Sequence, residues 1–363
     1  MALYFCDSFD HYSTADIGRK YNSWGGVQIT SAFSRTGPQC MSSTQAGHYI
    51  MKGFSMVVMP EPHTYYGTNS YKYSVAHYIT KFDNQPIVQF YIGNTLQYGL
   101  YVQSDGSIYV RRSGSTLMNQ TPPGVITTNA WFYLEHRYIG GVYSIGIDGD
   151  TVLDSPYQDL TPTSPGWMTA IKIYPGGTSG NIGYIDDLVF NNGVPLRGDT
   201  KVVALYPTTD AFTEFSPVSV GRPNSTMISG HTPDNDTTYN YTATSGVMDY
   251  FRFEEMPTTI SGSIDGVMLS ALVRRDDMAV KFLDLLAVVS GEVVESSSGA
   301  QFLTNYVDTP YSLSTDYLYK SMSWHHIPQD TVSGYWYDEG EWTIADVNNT
   351  YFGYRVYDGA ETL

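Results

Sequence analysis

Apolar and polar residues alternate with a period of two over much of the first half of the chain. Segments 3–9, 49–60, 71–81, 87–92, 97–103, 107–112, 131–138, 142–148, 169–174 and 183–190 carry the alternation, each bounded by Gly, Pro or Asn. A period of two puts successive side chains on opposite faces of a strand. Roughly ten short strands at short intervals predict a two-sheet sandwich or jelly roll. In YGLYVQSDGSIYVRR, two alternating runs flank Ser104-Asp105-Gly106-Ser107. Asp-Gly supplies the positive φ angles of a tight turn, so this run predicts a hairpin. Asp148-Gly149-Asp150 reads as a second hairpin turn for the same reason.

The pattern breaks at Asn191-Asn192-Gly193-Val194-Pro195, which predicts a domain boundary: 1–195 as one sandwich and 196–363 as a second. A strand is expected over 200–206. Residues 207–246 are rich in Thr, Ser, Asn and Pro and read as a long polar loop or extended arm. Segments 264–275 and 279–289 read as a hairpin turning at Arg275-Asp276-Asp277, although Met278, Phe282, Leu285, Leu286 and Val289 also fit a helical stripe. Further strands are expected at 300–307, 315–320 and 350–357. The whole is predicted all-β, two tandem β-sandwich (jelly-roll-like) domains, with no internal repeat of fixed period.

Composition agrees with this pattern. Aromatics make up 15% of the 363 residues, and 32 of them are tyrosines, which favour a pleated, half-buried surface. The net charge is -17, with 19 basic against 36 acidic residues. Phosphate neutralisation needs a basic stripe, so nucleic acid is not an expected partner. No segment approaches the roughly 18 apolar residues of a membrane span, so membrane insertion is not expected. The start, MALYFCDSFDHY, lacks the basic n-region and long apolar run of a signal peptide, which points to synthesis in the cytosol. Cys6 and Cys40 are too few for a disulfide scaffold. They are expected as buried free thiols and can pair only if the strands carrying them lie side by side.

Candidate chemistry is sparse. Asp7 and Asp10 end the first strand, and Asp186-Asp187 lie on the last strand of the first domain. In a sandwich those strands are plausible neighbours, and four carboxylates make a candidate structural calcium site. The alternative is that one Asp of the Asp186-Asp187 pair faces solvent while the other bonds the backbone of a neighbouring loop. Adjacent His325 and His326 point to opposite faces of a strand, and with His231 they show no zinc spacing. The paired carboxylates of a glycosidase strand, a nucleophile elbow and a phosphate-cradling loop are all missing, so no catalytic residues are assigned and no enzyme is expected. Exposed aromatics remain. Tyr65, Tyr66, Tyr335, Trp336 and Tyr337 are candidates for stacking on sugar rings or anchoring a protein interface, with Tyr71, Tyr73 and Tyr78 beside them.

The stretch from Trp131 to Asn191 resembles laminin-G-like, concanavalin-A-like jelly rolls: a strand opened by Trp131, the Asp148-Gly149 turn, and a closing strand with Ile185-Asp186-Asp187-Leu188. The N-terminal MALYFCDSFDHY, then Val202 to Ala211, Pro233 to Tyr239 and Glu341 to Asn348, are in that order similar to a two-domain type of tailed-bacteriophage virion protein. That resemblance implies a structural component of a phage particle, made in the host bacterial cytoplasm and carried on a capsid, neck, tail or fibre. Its expected partners are other virion proteins and copies of itself. The alternative expectation is a lectin-like module that recognises a host surface glycan.

Overall fold

A computed structural model describes residues 3–53, 70–113, 117–139, 142–155, 168–176, 180–191, 198–230, 232–234, 236–274, 281–289, 292–294, 318–324 and 342–358. The fold is all-β, in two compact units, Leu3–Val203 and Ala204–Leu363. The strands of the first unit are β1 (Leu3–Asp7), β2 (Ser23–Gly25), β3 (Gln28–Thr30), β4 (Cys40–Ser43), β5 (Tyr49–Gly53), β6 (Ser70–Ile79), β7 (Gln85–Ile92), β8 (Thr95–Val102), β9 (Ile108–Arg112), β10 (Leu117–Gln120), β11 (Trp131–Ile139), β12 (Val142–Ile147), β13 (Asp150–Ser155), β14 (Ala170–Ile173) and β15 (Gly183–Asn191). One sheet runs β13-β12-β11-β6-β15-β4-β3, with β1 also on β15, and the other runs β10-β9-β8-β7-β14-β5-β2.

The turn chemistry works as the sequence implies. Val102 pairs with Ile108, Gly106 has φ +77°, and the Asp105 carboxylate accepts from the Ser107 N–H at 2.9 Å. Asp148 and Gly149 both have positive φ and close the β12–β13 hairpin. The inner faces of the sheets meet in an aromatic core. The Phe90 ring packs on Tyr98 at 4.6 Å, His136 at 5.1 Å and Tyr73 at 6.1 Å between centroids. Tyr98 Oη lies 2.7 Å from His136 Nε2 and also bonds the Tyr71 hydroxyl. Cys6 and Cys40 are free thiols. Their strands lie end to end along one edge of β15 rather than side by side, so the pairing alternative fails.

The predicted boundary at 195 shifts to Val203/Ala204. The backbone of the intervening segment bonds to first-unit carboxylates: Gly198 N–H donates to Glu135 Oε2 (2.9 Å) and Val202 N–H to Asp187 Oδ1 (2.8 Å). The same bonds explain why 200–206 is irregular instead of a strand.

The second unit is built from β16 (Pro207–Thr213), β17 (Ser216–Pro217), β18 (Asn240–Tyr241), β19 (Met248–Phe253), β20 (Val267–Val273), β21 (Lys281–Val289), β22 (Glu292–Val294), β23 (Leu318–Trp324) and β24 (Tyr351–Asp358). A sheet β16-β19-β24-β21-β22 faces the pair β20-β23. Val267, Leu269 and Ala271 of β20 pack on a core of Leu285, Ala287, Trp342, Val347 and Phe352. The expected 264–289 hairpin is therefore corrected: β20 and β21 sit in different sheets. Alternation marks a strand and a face but not the partner. The 207–246 segment is not one arm. β16 pairs with β19, and the N–H groups of Asn224 and Ser225 donate to Asp210, which starts a short helix, Asn224–Ile228. Buried Asp249 accepts from the Glu214 and Phe215 N–H groups. These polar bonds leave no hydrophobic period to read in the sequence.

Fully buried His77 stacks on Phe132, and neither of its ring nitrogens has a hydrogen-bond partner. Burial pushes both His77 and His136 down to about 3 from 6.5. Below pH 6.5 the unfolded chain takes up protons that these folded residues refuse. The stability they supply is therefore present above 6.5 and lost as pH falls towards 3, at about 1.4 kcal/mol per pH unit per histidine. His77→Phe is expected to flatten this slope by one histidine's share, read from urea unfolding between pH 4 and 7.

Candidate functional site

The carboxylates singled out in the sequence fall into two groups. Asp7 ends β1 and is buried with Lys20, the last residue of a short helix, Ile17–Lys20. Lys20 Nζ lies 3.0 Å from Asp7 Oδ1, and the Tyr12 and Tyr21 hydroxyls donate to Oδ2 at 2.7 and 2.6 Å. Burial would raise the Asp7 pKa, but the Lys20 charge, His11 and these bonds override it and hold the carboxyl below its ordinary value.

Asp186 and Asp187 sit where β15 changes partner. Residues Gly183–Ile185 pair with β4, and Leu188–Asn191 pair with β1 on the same edge. Along the opposite edge the β6 register slips between Asp186 and Val189, and Asp187 takes φ +51°. The bulge turns both carboxylates to a loop. Asp186 Oδ2 accepts from the N–H groups of Arg35 (2.9 Å) and Thr36 (3.0 Å), and Oδ1 from the Asp187 N–H. Asp187 Oδ2 accepts from the Arg35 guanidinium and the Thr36 hydroxyl, while Oδ1 takes the Val202 N–H. Asp10 Oδ1 accepts from the Gln39 N–H at 2.9 Å, pinning the far end of the same loop. Burial raises Asp10 to about 7, and burial followed by the Asp187 charge raises Asp186.

Calcium needs six to eight oxygen ligands with lone pairs turned inward. Here the lone pairs of Asp7, Asp186 and Asp187 are met by N–H, O–H, ammonium and guanidinium donors, so these residues do not fit a calcium ion. Among the described residues no group of three or more His, Cys, Asp or Glu side chains is arranged to hold a metal. Tyr65, Tyr66, Tyr335, Trp336 and Tyr337 lie outside the described residues, as do His231, His325 and His326. Tyr71 and Tyr73 are core residues.

Two groups of partly exposed aromatic side chains lie on the outer faces of the first unit's sheets. On the eight-stranded sheet, half-exposed Phe33 stacks on Trp131 (5.9 Å, 7°) and touches Tyr78 and Tyr184, making a small apolar patch. The middle of that face is covered at Tyr133 and Glu135. Arg35 lies over the Tyr133 ring, and Gly198 reaches Glu135, which is itself paired with buried Lys72 at 2.6 Å.

The outer face of the seven-stranded sheet carries a larger constellation. The alternation that sends Val88, Phe90, Leu100, Val110 and Ile173 inward sends Gln89, Tyr91, Tyr101, Tyr109, Arg111, Lys172 and Tyr49 outward, where they are half-buried. Gln89 is the hub. Its Nε2 donates to the Tyr101 hydroxyl at 3.0 Å, and its Oε1 accepts from the hydroxyls of Tyr91 (2.9 Å) and Tyr174 (2.7 Å). Burial first, then neighbouring tyrosines, raises the Tyr91 and Tyr174 pKa values, so these hydroxyls stay neutral donors and acceptors. Gly99 pairs directly opposite Gln89. A Cβ there would meet Val88 O at 2.9 Å, Gln89 Cγ at 3.0 Å and Tyr101 Cε2 at 3.1 Å. The glycine therefore lets Gln89 and Tyr101 close over it. Lys172 Nζ lies 3.6 Å from the Tyr49 ring centroid, and the Arg111 guanidinium lies 5.4 Å from Tyr101 and 5.5 Å from Tyr109. Ring faces, hydroxyls and an amide on one sheet face can stack on a flat polar ligand and hydrogen-bond its edge. Sequence reasoning missed this face because tyrosine reads as a generic strand former. The available signal was tyrosine recurring at the outward phase of strands free of Asp and Glu.

Two outcomes follow. Asp187→Ala removes the pins on Arg35, Thr36 and Val202 and is expected to cost about 3–5 kcal/mol in urea unfolding, as for other broken buried pairs. Asp187→Asn, which keeps an acceptor and tolerates positive φ, is expected to cost distinctly less. Equal losses would remove the role assigned to the bulge. Gly99→Ala is expected to lose about 1–3 kcal/mol by overpacking and to raise the solvent accessibility of Tyr101, read by tyrosine nitration mapping.

Comparison with protein-family models and with curated proteins finds no match to the chain. Among solved structures, the chain is similar to Trypanosoma rangeli sialidase in complex with sialic acid, at 9% identity and a TM-score of 0.34. That match covers 47% of this chain, which spans only 28% of the sialidase's length. It is also similar to domain 4 of a GH43 extracellular arabinanase from Geobacillus stearothermophilus, at 14% identity and a TM-score of 0.32, covering 47% of this chain and 76% of that one. A third is the cellulose induced protein Cip1, at 14% identity and a TM-score of 0.34, covering 51% and 96%. At these scores no ligand or activity carries over from any of them.

Proposed function

We propose that this chain is a structural component of a tailed-bacteriophage particle whose first sandwich recognises a host surface glycan. One observation carries the glycan reading: the hydroxyls of Tyr91, Tyr101 and Tyr174 converge on Gln89 in the middle of an outward sheet face flanked by the Tyr49 and Tyr109 rings. A sugar offers both C–H faces that stack on rings and hydroxyls that exchange hydrogen bonds, and this face supplies partners for both. Pre-organisation by Gln89 lowers the ordering cost of binding. The particle setting is supported by the resemblance in motif order to two-domain virion proteins and by the tandem β units.

The second reading is assembly, with other virion proteins or copies of the chain, through the patch headed by Phe33. Phe33 is 40% exposed yet stacked on Trp131, which suits an apolar contact.

The full chain is expected to bind a subset of bacterial surface glycans on an array. Gln89→Ala and Tyr101→Ala are each expected to weaken that binding about tenfold or more. An array with no saturable signal would remove the glycan reading. For assembly, Phe33→Ser is expected to lower the mass of any oligomer seen by light scattering, and an unchanged mass would remove that patch from the interface.

A further inference from the structure

We infer that the ligand of the tyrosine face is an anionic glycan, one whose sugars carry carboxylate or sulfate groups. This inference rests on the glycan reading of that face. The chain has 36 acidic and 19 basic residues, yet no Asp or Glu occurs in any of the seven strands of this sheet. The same strands hold Lys52, Arg111, Arg112 and Lys172. Lys52 turns to the backbone of Lys20. Lys172 and Arg111 point outward in a single row across the sheet: Lys172 pairs opposite Gln89, Gln89 opposite Gly99, and Gly99 opposite Arg111. Three inter-strand steps put their backbones about 14 Å apart, a span that accommodates two or three sugar rings.

Neither cation makes an ion pair among the described residues; both are held against tyrosine faces instead. Arg111 Nε is buried and has no hydrogen-bond partner. The burial of Nε against the tyrosine rings fixes the guanidinium on the half-buried Arg111 side chain without neutralising its charge. Guanidinium matches carboxylate and sulfate oxygens in a planar fork, and an ammonium serves either as a point charge. Gln89 and Gly99, between the two cations, leave the middle of the row uncharged for stacking and hydroxyl contacts.

The test is titration calorimetry of the full chain with two charge-matched pairs: polygalacturonate oligomers against their methyl esters, and dextran sulfate oligomers against dextran. The expected result is a preference of about tenfold or more for at least one charged member, falling as NaCl rises from about 50 to 300 mM. The pair that shows it tells carboxylate from sulfate. Lys172→Ala and Arg111→Ala are expected to bring the charged-to-neutral ratio towards one, and Lys172→Arg to keep it. If an alanine variant fails to fold, the wild-type ratio and its salt dependence still decide. Equal binding within both pairs would overturn the anionic assignment while leaving the glycan reading intact. No binding by any of the four, with an empty glycan array, would overturn both. Binding of single-stranded oligothymidylate as tight as that of the charged sugars would also overturn it, since the face would then read polyanions rather than glycans.

Discussion

The first sandwich depends on how one strand, β15, serves two partners along a single edge. β4 pairs with its start and β1 with its end, and the change falls at Asp186 and Asp187. A strand that swaps neighbours leaves backbone N–H groups near the junction without ladder partners, and buried N–H groups must be paired. The two carboxylates supply the acceptors. They take the N–H groups of Arg35, Thr36 and Val202, so the junction also fixes the loop before β4 and the segment that leaves the sandwich. Burying two adjacent carboxylates is unfavourable, as their raised pKa values reflect. Arg35 and the converging N–H groups offset that cost.

The same junction makes the two outer faces different. Arg35 and the 198–202 segment lie over the eight-stranded sheet at Tyr133, Glu135 and Asp187 and are held there by hydrogen bonds to the two carboxylates. The charges beneath are paired internally, as Lys72 is with Glu135. Among the described residues the seven-stranded sheet has no such cover at Gln89, and its outward residues satisfy one another through tyrosine hydroxyls and cation–ring contacts. Polar groups turned to one another on an open face remain available to a ligand, whereas those beneath a covering loop are already used. The buried carboxylates of the first unit thus hold backbone and cations in place, while the polar groups of its seven-stranded outer face are mostly tyrosine hydroxyls.

Much of the sandwich was legible in the sequence. The hairpins at Asp105-Gly106 and Asp148-Gly149 were readable because turn chemistry is local, and the long strands because alternation is local too. The short strands β2, β3 and β4 were not, since three or four residues hold too little period to read. The ordered part of 207–246 was hidden for a different reason: Asp210 and Asp249 organise it by accepting backbone N–H groups from residues distant in sequence. The Asp186-Asp187 pair was visible as unusual, but its partners, about 150 residues away, were not.

By itself the sequence determined the all-β class, the turns, and which face of each long strand turns inward, because a period of two and the φ preferences of Asp and Gly act within a few residues. Beyond the two Asp-Gly hairpins, only the tertiary structure decided which strands pair. It separated β20 from β21, placed Cys6 and Cys40 end to end, and gave the buried carboxylates N–H donors, the loop-bonding alternative to a calcium site. It also decided the candidate site. Gln89, Tyr101, Arg111 and Lys172 come from four strands and become neighbours only through inter-strand register, a long-range quantity that no local pattern encodes.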